Sequence, residues 1–63
     1  MDEFEYRQWL HRYISGRAGN IVTEDGQDAL WLLETKGLEG LYMAMTGSSP
    51  RRDYFRFKEA RGG

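Results

Sequence analysis

A chain of 63 residues with nine basic and ten acidic side chains, one histidine and no cysteine supports one small domain, whose core must form without a disulfide or a thiolate metal site. Folding at this length buries only about 60% of the surface that the unfolded chain exposes, so stability is marginal and a partner or second copy would add to it. The near-zero net charge gives no overall attraction to nucleic acid, no apolar run approaches the roughly 20 residues that span a bilayer, and the acidic opening MDEFEYR is unlike a secretion signal; the chain reads as soluble and cytoplasmic, with no membrane contact.

In DEFEYRQWLHRYIS, the residues Tyr6, Trp9, Leu10, Tyr13 and Ile14 recur at the spacing of one face of a helix. Asp2, Glu3 and Glu5 sit where the helix dipole favours negative charge. Phe4 lies off the stripe, on the side of His11. SGRAGN is expected to end this helix through Gly16 and Gly19, with a short strand near Ile21 and Val22 after it. TEDGQDALWLLETKG then reads as a second helix. Thr23 or Asp25 would cap it, Asp28 falls in its first turn, Lys36 in its last, and Gly37 at its C-terminal cap. Ala29, Leu30 and Leu33 form its inner stripe, which turns Trp31 the other way, either onto a second covered face or outward as a binding anchor.

GLYMAMTG fits both periods: Leu38, Leu41, Tyr42 and Met45 have helical spacing, while Leu41, Met43 and Met45 alternate with Tyr42, Ala44 and Thr46. DYFRFK alternates Phe55 and Phe57 with Tyr54, Arg56 and Lys58, the pattern of a half-buried strand. Pairing Met45 with Phe55 brings Met43 opposite Phe57, so a hairpin closed by GSSPRR is expected in preference to the alternative, a third helix followed by a single strand. The predicted fold is α+β: two helices and a C-terminal β-hairpin in one domain over residues 1–58, followed by a flexible tail over 59–63. The outer hairpin face would carry Tyr42, Thr46, Tyr54, Arg56 and Lys58, with Arg51 and Arg52 at the tip. Basic groups interleaved with aromatics suit a phosphate backbone or an acidic partner.

Catalytic chemistry finds little support. The single histidine, His11, has Ser15 at i+4, a spacing common by chance on any helix. One histidine without cysteine does not make a zinc site, the carboxylates lack the spacing of a calcium loop, and no cofactor motif is visible. SGRAGN lacks the further glycine and the lysine of a phosphate loop. Ser48, Ser49 and Pro50 are ordinary turn residues, and Arg61, Gly62 and Gly63 read as a frayed end.

The stretch from WLLETKGLEGLYMAM to SSPRRDYFRF resembles the second half of a winged helix-turn-helix domain: Leu33, Lys36, Gly37 and Leu38 at a helix end, then Arg51, Arg52, Tyr54, Phe55 and Phe57 on a returning wing strand. The resemblance spans residues 31–58 and implies nucleic-acid binding through the basic hairpin tip. The chain lacks the length for three helices before the wing, and Glu24, Asp25 and Asp28 at the start of the matching recognition helix would repel phosphates. The leading expectation is therefore a non-enzymatic interaction module that regulates or inhibits a larger protein or assembly, of a size suited to the host-directed inhibitors of viruses and mobile elements. Its partner-binding residues would be Trp31, Tyr42, Tyr54, Arg51, Arg52, Arg56 and Lys58. A homodimer over the edge strand Leu41 to Thr46 or over Trp31 is a further expectation.

Overall fold

The structure is a computed structural model that describes residues 2–19 and 22–62. Three helices make up the architecture: α1 (Glu3–Ala18), α2 (Thr35–Thr46) and α3 (Pro50–Gly62). Helix α1 forms where the apolar stripe predicts it. Asp2 is its N-cap and accepts a 2.9 Å hydrogen bond from the Phe4 N–H, and Gly19, at φ +84°, closes it with an N–H bond to the Ser15 carbonyl. The helix runs through Gly16 and ends at Ala18, inside the SGRAGN stretch expected to stop it, with Gly19 and not Gly16 as the cap.

The expected second helix does not form. Gly26, at φ +80°, turns the chain back so that its N–H bonds the Thr23 carbonyl, and Val22 and Asp28 pair as an isolated antiparallel bridge. Asp28 then spends its carboxylate on the Leu30 and Trp31 N–H groups, at 3.0 and 3.3 Å. This local bond competes with helix propagation. The chain continues as a run of turns through Leu33, and the helix begins at Thr35, where the sequence pattern had placed its end. Lys36 and Gly37 belong to the first turn of α2 instead of the last turn of its predecessor. The short strand expected near Ile21 and Val22 reduces to the Val22 bridge; Ile21 lies outside the described residues.

The hairpin is also overturned, and with it the α+β class and the winged-helix architecture: no strand is present among the described residues. Gly47, at φ +73° and ψ +11°, ends α2 in a left-handed cap bonded to the Met43 carbonyl at 2.8 Å. Ser49 approaches the Arg52 N–H through its hydroxyl and accepts from the Asp53 N–H through its carbonyl, Pro50 takes the first helical position, and Asp53 falls in the first turn. GSSPRRD is thus a helix stop followed by a helix start. A two-stranded hairpin with no third strand is marginal in water, whereas Pro50, Tyr54, Phe57 and Arg61 lie along one face of a helix.

The change of period exchanges inside for outside. Tyr42 and Tyr54, assigned to the solvent face of a sheet, are core residues together with Tyr6, Leu10, Ile14, Leu30 and Leu38. Leu41, Met43, Met45 and Phe55, assigned to its buried face, are exposed. Residues 59–62, read as tail, continue α3. The contacts of α1 with α3 advance together along both helices, from Glu3 with Arg51, through Tyr6 with Tyr54, to Trp9 with Phe57. The two helices therefore run in the same sense. The molecule measures 42 × 23 × 18 Å, with a radius of gyration of 12.2 Å against about 10.6 Å for a compact domain of this length.

Candidate functional site

The side of α1 between α2 and α3 is an aromatic cluster. Trp9 is surrounded by Tyr54 at 5.3 Å between ring centroids, Tyr42 at 5.4 Å, Phe57 at 6.1 Å, Tyr13 at 6.3 Å and Tyr6 at 6.4 Å. Tyr6 lies nearly parallel to Trp9, at 17° between ring planes, and the other four rings are tilted by 32° to 56°. The buried hydroxyls are satisfied: Tyr42 donates to Asp53 Oδ2 at 2.6 Å and Tyr6 donates to Glu39. Burial first, then the hydrogen-bonded carboxylate, pushes both phenols well above the ordinary tyrosine range.

Where this cluster reaches the surface it opens into a cleft of about 510 Å³ between α1 and α3. Trp9, Tyr54 and Phe57 form its floor, and Glu5, Gln8, Arg12, Lys58, Arg61 and Gly62 its walls. Glu5 Oε2 receives the Tyr54 hydroxyl at 3.4 Å and Lys58 Nζ at 3.3 Å. Both ends of that ion pair are exposed, so it contributes little to stability and can open to another anion. Arg61 lies over the Phe57 ring at 5.5 Å. Three cations face one carboxylate across an aromatic floor, an arrangement that accepts an apolar or planar group carrying negative charge.

The structure disperses the residues that the sequence grouped on a hairpin. Tyr54 and Lys58 line the cleft, while Tyr42 lies beneath it in the core. Arg51 is an internal clamp: it pairs with Glu3 on α1 at 3.1 Å and Glu39 on α2 at 3.1 Å, and stands over the Tyr6 ring at 4.7 Å. The Glu3 hydrogen bond holds its guanidinium above the usual arginine range. Arg52 and Arg56 share the outer face of α3 with Phe55, which is 58% exposed. Trp9, Arg12, Phe57 and Arg61 were not grouped by sequence reasoning. Their signal was Arg12 three residues after Trp9 and Arg61 four after Phe57, visible only once residues 50–62 are read at the helical period.

Trp31 sits elsewhere, on the face of α1 that carries Phe4, Arg7 and His11. Its ring meets Phe4 edge-on at 6.2 Å and His11 at 5.1 Å, with the Arg7 guanidinium at 4.8 Å. Arg7 donates to the Trp31 and Leu33 carbonyls, and His11 Nε2 pairs with Asp28 Oδ2 at 2.6 Å. His11 is therefore engaged with the loop and does not stand free toward solvent. Partial burial would raise the Asp28 carboxyl, but the Trp31 N–H, His11 and the Leu30 N–H together outweigh it and hold the group below its ordinary value. At 37% exposure, Trp31 is half-covered and presents one edge outward.

Among the described residues no cluster of three metal-ligating side chains occurs, and no helix is long and apolar enough to cross a membrane. No protein family, curated protein or solved structure matches this chain.

Proposed function

We propose that this chain is a small non-enzymatic interaction module that regulates or inhibits a larger protein or assembly, and that the α1–α3 cleft receives an acidic, apolar segment of that partner. The observation that carries this reading is the cleft itself. An aromatic floor already locked by its ring contacts loses little freedom on binding, and Arg12, Lys58 and Arg61 around it favour an anionic occupant. Tryptophan, tyrosine and arginine are also the side chains on which interface energy concentrates.

The test uses Trp9 as its own reporter, in a Trp31→Phe background that leaves one tryptophan. An extended peptide of alternating glutamate and leucine with a single phenylalanine should change Trp9 emission and bind at least about tenfold more weakly to an Arg12→Glu, Arg61→Glu double variant. No change up to about 1 mM peptide, or equal binding of the matching lysine–leucine peptide, would overturn the assignment. So would tight binding of random duplex DNA at physiological salt in preference to the acidic peptide.

A further inference from the structure

The outer side of α2 is poor in charge and rich in exposed apolar groups. Leu38 and Tyr42 turn α2 into the core, so Gly37, Gly40 and Ala44 lie on the far side, with Leu41 and Met43 along the margins, while Met45, three residues after Tyr42, falls on the core side. All five outer residues are exposed, Met43 by 49%. The only charged side chain on this face is Lys36, which joins no ion pair among the described residues. A helix whose outer face is solvated normally carries several charges there. Lys36 is moreover at the wrong end of its own helix. It stands in the first turn, where the dipole disfavours a cation; that turn holds no acid, and the last turn holds no base.

We propose that a second copy of this chain covers the face, α2 against α2 in antiparallel sense across a two-fold axis. With Gly40 opposite Ala44 of the second copy, Lys36 falls beside Ser48 of the second copy, just past the Gly47 cap, at the carbonyl end of a helix that has no cation of its own. The symmetry makes this correction twice. Charge complementarity thus selects the antiparallel sense, and a net charge near −1 does not oppose the pairing. A side chain at Gly40 would meet nothing within the chain, so the backbone there is open to close approach. The face is short, about three helical turns at most, so the pairing is expected to be weak. This pairing uses a different surface from the cleft and does not depend on it.

Sedimentation equilibrium of the full chain from about 10 μM to about 1 mM tests the proposal, with half-association expected near about 100 μM. Ala44→Glu should weaken the dimer at least about tenfold, by placing two carboxylates at the closest approach. Lys36→Glu should weaken it roughly three- to thirtyfold while raising the melting temperature of the dilute monomer, because the same change repairs the helix dipole in isolation and spoils it in the pair. That opposition of sign separates loss of the interface from loss of folding. A strict monomer at about 1 mM would overturn the second copy as occupant, a dimer indifferent to both substitutions would overturn this face, and a dilute monomer destabilised by Lys36→Glu would overturn the dipole argument.

Discussion

Arg7 holds more of the structure than its place off the core stripe suggests. Its guanidinium reaches two loop carbonyls and Thr35 Oγ1, and stacks on Trp31. Few other bonds fasten residues 28–34 to α1. Arg7→Ala should cost about 1–2 kcal/mol and shift Trp31 emission toward that of a solvated indole. Arg7→Lys should recover little of this, because an ammonium lacks the planar fork that reaches two carbonyls at once. At the far end of the same loop, the lowered Asp28 carboxyl ties stability to pH. A carboxylate whose folded value lies below its unfolded value of about 3.9 contributes fully above about pH 5, and that contribution disappears as pH falls through the lowered folded value. Trp31 emission followed into acid should therefore report loop release, and Asp28→Asn, which keeps an acceptor for the Leu30 and Trp31 N–H groups, should flatten that limb. An unchanged acid limb in Asp28→Asn would sink the assignment.

Among the elements, α1 was fully legible because it alone combines a single unbroken apolar period with an acidic first turn. The second helix was misplaced because its start and stop signals were real but local: Asp28 caps one turn of backbone, not a helix. Residues 41–57 were misread because aromatic and methionine residues there satisfy period 2 and period 3.6 together, and the strand-favouring Tyr54, Phe55 and Phe57 stand against the helix-favouring Leu41, Met43, Ala44 and Met45. The deciding feature was Ser49-Pro50 with Asp53, a helix start that also reads as a turn. One consequence for α2 is measurable. Gly40 sits mid-helix with open space where a side chain would be, so Gly40→Ala should raise the melting temperature by the equivalent of up to about 1 kcal/mol at dilute concentration. A loss of stability there would mean that the backbone at Gly40 is not helical in solution.

At the scale of the molecule, the sequence disclosed the small core, the shortage of covalent staples and the interleaving of basic and aromatic residues over 51–58. It hid the site, because the cleft depends on which faces of α1 and α3 meet. Tyr54 and Lys58 were selected for their chemistry but placed on a surface that does not exist, and the arginine pair at 51 and 52, both exposed, divides into one that clamps Glu3 and Glu39 and one that joins no ion pair among the described residues.

The common direction of α1 and α3 has an electrostatic result of its own. Asp2, Glu3, Glu5 and Asp53 outnumber Arg51 and Arg52 at the start of the two helices, and Arg12, Arg17 and Arg61 gather toward their finish, a separation of about 20 Å along α1. The parallel backbone dipoles oppose this arrangement of side-chain charge, negative groups at their positive ends and positive groups at their negative ends, so each offsets the other at close range. At longer range the full side-chain charges exceed the half-charges of the helix ends, and a molecule of net charge near −1 still carries a charge axis along its length. An acidic partner would be turned to meet the arginine end first. Its association rate should fall as salt rises while its dissociation rate barely moves, which stopped-flow measurement at two ionic strengths would read directly.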